Sequence, residues 1–528
     1  MSRPTIVAGA RLIALSPAVQ DQPALLIRDG RIAAHGALDG LRREAPDAHV
    51  LEFAGATILP GLTDAHIHIT EWAVARRQAD LASARTIAEA VGLAADFAQH
   101  HPDGWLHGRG WNPHHWGGAY PDRTALDAVF PDRPVAFQSH DMHSLWVNTR
   151  ALELAGIDAS TADPAGGRIV HDDAGAATGM LLENAAQLVM RVMPQPSERE
   201  VEALVVDAQT ELHRHGITGI HSFPGVHLIE PRPFPVLQRL REQDRLRLRV
   251  LQHIALDELD GALTLGLRSG FGDDWIRIGA LKMFLDGALG SRTAWLREPY
   301  EGSEDRGVQV LSAEDFRDFV QRAAHGGIAS TVHAIGDAAV QLAFEVLTDP
   351  AVQVPNLPHR VEHVQCCPPD LQPFAGRANI VSSMQPAHLI SDWAAADRHW
   401  GAQRARATYA FRSLLDAGAT FAFGSDAPVE PVDPRLAFYA AATRCDLDAK
   451  PAGGWYPEEC IPMAEVLRGY TTGAAIAAGA DPLAGTLAIG APADLAVWSD
   501  DPLSLRGPEL LQLRVRATIV GGEVVFGD

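Results

Sequence analysis

Cysteine is scarce in this sequence. The 528 residues include four cysteines, at positions 366, 367, 445 and 460. None of them forms a Cys-x-x-Cys pair, and the adjacent Cys366 and Cys367 are poor disulfide partners for each other. The expected state of all four is therefore a reduced thiol in a cytoplasmic protein.

Basic residues and long apolar runs are also limited. There are 44 Lys and Arg against 66 Asp and Glu, which gives a net charge of −22. Without a Lys/Arg cluster, neither nucleic acid nor an anionic membrane is expected as a partner. No run of 18 or more apolar residues predicts a membrane span, and segment 1–20 lacks the apolar stretch of a secretory signal.

The two ends of the chain share one pattern. With 47% hydrophobic and 21% charged residues, the chain has the composition of a soluble globular protein and is long enough for more than one structural unit. Residues 1–58 and 483–528 both alternate apolar and polar residues in short stretches that end in Gly-rich turns. We predict that these segments pair into one small β-sandwich domain built from both chain ends.

The region 59–482 alternates strand-like and helix-like segments, which is typical of a parallel α/β fold. Eight stretches are predicted strands: ATILPGLTDAHIH, ITGIHSF, RLRLRVLQHIAL, WIRIGALKMFLDG, GIASTVHAIGD, HRVEHVQ, ANIVSSMQP and ATFAFGSDAP. This pattern predicts a (β/α)8 barrel, in which the active site lies at the carboxyl ends of the strands. Residues 70 to about 195 are too many for one βα step, so we interpret them as an insertion near the barrel mouth.

The first predicted strand ends in His66 and His68, two residues apart. Residues i and i+2 of a strand point to the same face, so both imidazoles can bind one metal ion. With 23 histidines in the chain, about one such pair is expected by chance. A second pair, His213 and His215, precedes a predicted helix end, where we expect a cationic ring or simple exposure.

The remaining strand ends decide between metal binding and chance. Ligand-type side chains end five of the eight predicted strands: His66 and His68, Lys282, His333, His363 and Asp426. Imidazole and carboxylate suit zinc, with nickel, manganese or iron as alternatives. An ammonium group repels a cation, so Lys282 fits only if its neutral amine adds CO2 and becomes a carbamate, which can bridge two ions.

Longer strings carry a resemblance to a known family. They are GLTDAHIH, GRGWNPHHW, DMHSLWVNTRALELAGI, TGMLLENA, KMFLDGALGSRTA, VHAIGDAA, RVEHVQ and GSDAPVE. Together they resemble the amidohydrolase superfamily, in the amidohydrolase-family-3 branch that includes N-substituted formamide deformylases. The resemblance covers nearly the whole chain, and it implies a TIM-like hydrolase barrel with a β-sandwich from both chain ends.

The resemblance also implies roles for the six residues. His66 and His68 would hold the more buried of two divalent ions, His333 and His363 the more exposed one, and carboxylated Lys282 would bridge both. Asp426 would ligate the first ion and act as the catalytic base towards the bridging hydroxide. The implied reaction is hydrolysis of a C–N bond, in linear amides such as N-substituted formamides or N-acyl compounds.

Four further residues are predicted substrate contacts. Trp111, His115 and His143 lie in the insertion and would line a pocket, although surface or satisfied polar positions are the alternative for the histidines. Asp286 follows Lys282 on the same strand end, and it would contact substrate or cap the next segment.

Other functions remain open from the sequence. A deaminase or a cyclic-amide hydrolase of the same superfamily is the first alternative. A metal-free scaffold is a second alternative, but it predicts lost ligands, whereas all six positions are filled. A small-molecule amide is the expected partner, and a homodimer is possible for an enzyme of this size.

Overall fold

A computed structural model of the protein describes residues 3–13, 22–116, 120–140, 142, 144–164, 167–225, 232–377 and 379–527, with the backbone alone at His114 and His115. The chain divides into two compact units. One comprises Met1–Thr70 and Glu202–Asp528, and the other comprises Glu71–Val201. The second unit is close in extent to the insertion predicted at 70 to about 195.

The first unit is built on a barrel. Among the described residues, eight parallel strands follow one another around the sheet in chain order: Leu62–Ile67, Ile217–Ser222, Arg249–Ile254, Ile276–Phe284, Ser330–Ala334, His359–His363, Ile380–Met384 and Thr420–Phe423. All eight lie within the segments predicted as strands. The (β/α)8 prediction is thus confirmed. Their interior positions are almost all buried, because each strand lies between the barrel core and the surrounding helices.

Helices connect and cover the barrel strands. Several begin at recognisable caps, as at Ser312, whose hydroxyl accepts a hydrogen bond from the Asp315 amide at 3.0 Å. No helix in the described ranges has both the length and the apolar character needed to cross a membrane. Two helices, Ile69–Ala75 and Glu198–Arg214, cross the bounds of the Glu71–Val201 unit. Among the described residues, the helices wholly outside it are Leu38–Glu44, Pro233–Glu242, Leu259–Leu265, Ala313–His325, Asp337–Leu347, Gln372–Ala375, His388–Arg406, Phe411–Asp416, Pro434–Thr443, Met463–Tyr470 and Thr472–Ala477.

The chain ends form two sheets with a common core, as predicted for a sandwich from both termini. The strands of one sheet are Arg31–Gly36, Ala24–Arg28, Thr5–Ala8 and His49–Glu52; those of the other are Arg11–Leu12, Thr57–Pro60, Leu495–Trp498, Val515–Val520 and Glu523–Gly527. Leu25 and Ile27 of the first sheet share one buried apolar cluster with Ile58, Val497 and Ile519 of the second. The C-terminal strands therefore complete a core that the N-terminal segment cannot bury alone.

The Glu71–Val201 unit has its own sheet and core. Its strands, in spatial order, are Gly167–His171, Ala177–Glu183, Ser144–Val147, Val135–Ser139, Leu106–Trp111 and Ala79–Asp80, and its helices are Ile87–His100, Arg123–Asp127, Thr149–Ala155 and Ala186–Met190. Trp111 belongs to this core. Its ring is fully buried, lies edge-on to Trp146, and donates its indole N–H to the Phe137 carbonyl at 2.8 Å.

His213 departs from its predicted position. It lies at the end of helix Glu198–Arg214, but its ring is buried and its Nε2 is 2.9 Å from the Arg247 carbonyl oxygen. Burial lowers the pKa of His213 from 6.5 to about 4, so the ring is neutral near pH 7. The expectation of a cationic or exposed ring is wrong here, because this helix end packs into the protein interior. His215 lies 3.3 Å from the Glu211 carboxylate.

The neutral His213 ring predicts a loss of stability in acid. The unfolded chain takes up a proton near pH 6.5, whereas the folded protein takes it up only near pH 4. Stability from this residue is therefore full above pH 6.5 and falls as the pH drops towards 4. Between pH 7.5 and pH 5, we expect the unfolding free energy of the wild type to fall by about 2 kcal/mol more than that of His213→Gln. Urea unfolding followed by tryptophan fluorescence measures this difference, and equal falls in both proteins would contradict it.

Candidate metal centre

The six residues singled out in the sequence lie at the carboxyl ends of the barrel strands. His66 is in the first strand and His68 follows it, Lys282 is in the fourth, His333 in the fifth and His363 ends the sixth. Asp426 follows the eighth strand. All are buried except His333, whose side chain is 12% exposed. The barrel therefore brings together side chains that are up to 360 residues apart in the sequence (66 to 426).

His66, His68 and Asp426 form the tightest group. The Nε2 atoms of both histidines lie 3.3 Å from Asp426 Oδ1. One ligand atom from each of the three residues can be chosen so that all lie within 4.8 Å of one another. Two imidazoles and a carboxylate at this spacing suit a single divalent ion such as zinc.

The hydrogen bonds of the two rings test whether a cation fits. His66 Nδ1 lies 2.7 Å from a Glu362 carboxylate oxygen, and His68 Nδ1 lies 3.0 Å from the Pro224 carbonyl oxygen. Both partners only accept, so the Nδ1 atoms donate. Burial lowers the pKa of His66 to about 4, despite nearby Asp426 and Glu362. The neutral His66 ring therefore directs an Nε2 lone pair at a carboxylate oxygen, an arrangement that a cation between them stabilises.

Hydrogen bonds between the first and eighth strands hold this group together. The Asp426 amide donates to the His66 carbonyl at 2.7 Å, and the His68 amide donates to the Ala427 carbonyl at 2.9 Å. Asp64 accepts from the Ser425 hydroxyl at 2.6 Å and from the Ser425 amide at 3.0 Å. These bonds explain the GSDA string, since each of its residues after the glycine has a partner in Asp64, His66 or His68.

Gly424 allows this close approach of the two strands. A Cβ atom at this position would lie 2.3 Å from the His66 amide nitrogen and 2.7 Å from Asp64 Oδ1. The His66 amide donates to Asp64 Oδ1 at 3.1 Å, and the same oxygen accepts from the Ser425 amide, so both atoms are held in place and no larger residue fits without separating the strands. The glycine is therefore a requirement of the metal-centre geometry.

His333 and His363 form a second pair beside the first. Their ring centroids are 4.5 Å apart, and the His363 ring is 5.3 Å from that of His66. His333 Nε2 is 3.0 Å from the Gly287 carbonyl oxygen, which leaves Nδ1 to act as a ligand atom. The two rings could thus hold a second ion close to the first.

Lys282 lies in a poorly solvated environment. Its Nζ is 4.8 Å from the centre of the Phe223 ring and 4.4 Å from that of Phe284. Burial lowers the pKa of Lys282 to about 8, although Glu362 and Asp426 act in the opposite direction. The neutral amine is therefore far more accessible near pH 7 than in an ordinary lysine.

The backbone is strained at two of the ligand-type residues. His363 has φ 71° and Asp426 has φ 61°, both in the left-handed region, and the β-branched Val364 follows with φ 44°. Such conformations cost about 1–3 kcal/mol each and persist where the surrounding structure enforces them, often at functional sites. Here the strain turns the chain at the ends of the sixth and eighth strands.

The four predicted substrate contacts are not brought together as the six ligand-type residues are. Asp286 accepts hydrogen bonds from the amides of Trp295, Ile335 and Gly336 at 2.7–3.0 Å, so it organises the backbone around the fifth strand. Trp111 is a core residue of its own unit, as described above. His143 and the side chain of His115 lie outside the described residues. Their contact with substrate remains a prediction.

Two residues of the site were missed in the sequence. His388 begins the helix after the seventh strand, and its Nε2 is 3.9 Å from Asp426 Oδ2 and 3.3 Å from the Ser425 carbonyl oxygen. Glu362 precedes His363, and it contacts His66 as described. For Glu362, the available signal in the sequence was a charged residue directly before a predicted ligand. For His388, it was a histidine four residues beyond the end of a strand.

A cavity of about 150 Å³ lies elsewhere in the barrel unit. Its lining includes Thr63, Gly219, Val250 and Arg277, which stand near the amino ends of the first four barrel strands. The ligand-type residues lie at the opposite strand ends. The cavity is therefore not part of the metal centre.

A (β/α)8 barrel with two imidazoles and a carboxylate converging at its carboxyl ends defines the general class of metal-binding barrel enzymes. The model of one family, described as the amidohydrolase family, matches residues 50–526. The chain belongs to this amidohydrolase family and is a hydrolase.

Individual relatives cover almost the entire chain. The Bacillus subtilis (strain 168) protein YtcJ is 32% identical over 516 residues, which are 95% of this chain and 96% of the relative. The N-substituted formamide deformylase of Arthrobacter pascens is 28% identical over 521 residues, 94% of each chain. An uncharacterized metal-dependent hydrolase from Pyrococcus horikoshii OT3 has the same fold, with a TM-score of 0.78, 24% identity, and coverage of 95% of this chain and 99% of that one.

The geometry predicts that His66 is required for metal binding. Replacing it with alanine removes one of three ligand atoms, and we expect at least a ~100-fold weaker zinc affinity at this position. Titration of metal-free protein against a zinc-binding dye measures the change. His215→Ala, in the second His-x-His pair, is the matched control and should bind zinc like the wild type. Equal affinity in His66→Ala would contradict the assignment.

Proposed function

We propose that this protein hydrolyses the C–N bond of linear amides, such as N-substituted formamides or N-acyl compounds, with two divalent ions at the barrel mouth. The observation that carries the proposal is the convergence of His66, His68 and Asp426 at the carboxyl ends of the first and eighth strands. The family supplies the reaction type. The formamide substrate class is suggested by the deformylase of Arthrobacter pascens, at 28% identity.

The metal ions would be held by two sets of residues, and zinc is the expected ion. His66, His68 and Asp426 would bind one ion, and His333 and His363 the other. Bound ions supply a water molecule of lowered pKa and polarise the substrate carbonyl. Lys282, as a carbamate, would contribute two anionic oxygens and so offset the charge of the cations.

Asp426 would act as the general base and transfer the proton. Its Oδ1 faces the two Nε2 atoms at 3.3 Å, which leaves Oδ2 on the side away from them. Burial alone would raise the pKa of Asp426, but His66, His68 and His363 hold it well below its usual range. Asp426 is therefore ionised near pH 7, and its Oδ2 would accept a proton from the attacking water and pass it to the leaving nitrogen.

His388 would assist on the same side. Its Nε2 lies 3.9 Å from Asp426 Oδ2, the oxygen assigned to the proton transfer. An imidazole at this position can donate a hydrogen bond to the substrate or orient the Asp426 carboxylate. Its side chain is 12% exposed, so a bound substrate can reach it.

A substrate screen tests the proposed reaction. We expect turnover of N-substituted formamides or N-acyl amino acids by zinc-loaded protein, and little turnover of hydantoins or aminopurines. Asp426→Asn should reduce that turnover at least ~100-fold, because it lacks the base. Release of amine and carboxylate products is measured by chromatography. Preferred turnover of a hydantoin or an aminopurine would instead support the cyclic-amide hydrolase or deaminase alternative.

The carbamate on Lys282 has a direct spectroscopic test. The neutral amine would attack the carbon of CO2 and lose a proton, which gives an N-carboxylate. Metal-free protein reloaded with zinc in ¹³C-bicarbonate should show one protein-bound carbamate resonance by ¹³C NMR and regain activity faster than in CO2-depleted buffer. The chain has two lysines, Lys282 and Lys450, and the Lys450 side chain is 66% exposed.

The second lysine provides the matched control. Lys450→Arg should keep the resonance and the activity, whereas Lys282→Ala should lose both. An unmodified Lys282 in protein that holds two zinc ions per chain would refute the carbamate.

We also propose a cellular location, a partner and an oligomeric state for the protein. The acidic composition and the scarcity of cysteine favour a cytoplasmic location, a small-molecule amide as partner, and no binding to nucleic acid or membrane. A homodimer is compatible with the size of the chain.

A further inference from the structure

A charged pair is buried inside the barrel beside the metal centre. The side chains of Arg360 and Glu362, both in the sixth strand, have no solvent exposure. Arg360 Nε donates to Glu362 Oε1 at 2.9 Å, and a second guanidinium nitrogen lies 3.2 Å from Oε2. The Thr331 hydroxyl donates to Oε1 at 2.5 Å. The carboxylate is therefore held from two sides by three donors.

Glu362 also contacts the His66 ring. Its Oε2 accepts from His66 Nδ1 at 2.7 Å. The face of the His66 ring stacks on Phe223, with centroids 3.9 Å apart and planes at 13°. The ring therefore has one face packed and one nitrogen bound to a carboxylate, which together fix its orientation. His68 differs, because its Nδ1 donates to a neutral carbonyl.

Arg360 is fixed by several other strands. It donates to the Ala65 carbonyl of the first strand at 2.7 Å and to the Ser383 hydroxyl of the seventh at 2.8 Å. It also lies 2.8 Å from His221 Nδ1 of the second strand. The guanidinium is thus held by the first, second and seventh strands. It fixes the position of Glu362, and Glu362 in turn fixes that of His66.

Stability alone does not explain this pair. Two charges removed from water lose solvation that their attraction often fails to restore, and apolar replacements are often as stable or more so. The Arg360–Glu362 pair is therefore not expected to add net stability to the fold, so the buried carboxylate needs another role. The short bond to His66 supplies one, because a carboxylate on the second nitrogen of a metal-binding histidine orients the ring and strengthens it as a ligand.

We infer that Glu362 is the positioning residue that fixes His66 as the stronger of the two histidine ligands of the first ion, and that Arg360 holds Glu362 in place. The inference rests on the proposed metal centre. It assigns Glu362 no contact with substrate. Its effect is on the tautomer and the angle of His66, and through them on the affinity for metal.

Glu362→Asp is the sharpest test, because it keeps the charge that balances Arg360 but withdraws the carboxylate from His66 by one methylene group. We expect zinc affinity to fall 10- to 100-fold, the range typical of such outer ligands. Competition with a zinc-binding dye measures the affinity, and thermal unfolding of the metal-free protein checks the fold. Ser383→Ala is the matched control, since it removes one hydrogen bond to Arg360 and leaves the Glu362–His66 bond.

Each outcome decides the question. Weaker zinc binding in Glu362→Asp, with wild-type affinity in Ser383→Ala, supports the inference. An affinity within twofold of the wild type in folded Glu362→Asp overturns it. If that variant does not fold, Arg360→Met combined with Glu362→Gln, which removes both charges, is judged by the same criteria. A wild-type protein that binds no zinc would instead overturn the proposed metal centre itself.

Discussion

Closure of the barrel between its first and eighth strands is the constraint on which the metal centre depends. The bonds from the Asp426 amide to His66 and from the His68 amide to Ala427 join the carboxyl ends of two strands that are distant in sequence. Asp64 and Ser425 reinforce the junction, and Gly424 permits it sterically. Because the three residues that best suit a metal ion lie at this junction, the closure that completes the fold also assembles the site.

Burial has opposite consequences for the groups around this junction. It disfavours the charged forms of His66 and Lys282, whose pKa values it lowers, so His66 is neutral near pH 7 and Lys282 exposes more of its neutral amine than an ordinary lysine does. The pKa of Asp426 nevertheless lies well below its usual range, and Arg360 beside Glu362 lowers the pKa of that carboxyl in the same way, so both carboxylates remain charged. The interior therefore holds lone pairs and carboxylates facing one another, an electrostatic arrangement that favours cations.

The family relationship and the site explain different properties. The amidohydrolase family accounts for the barrel and the hydrolase class, since these follow from a match over residues 50–526. Substrate choice depends on side chains near the metal centre, and a shared fold does not determine them. His388 lies near Asp426, at the start of the helix that follows the seventh strand.

The sequence by itself determined the barrel strands and the six ligand-type residues, because parallel strands in chain order bring their carboxyl ends to one side and any side chain there converges with the others. It did not reveal that Trp111 is a core residue, that Asp286 binds three backbone amides, or that His213 is buried and neutral. Nor could it connect Glu362 with His66, which are 296 residues apart. These facts concern which atoms face each other across the interior, and only the packing of distant segments decides that.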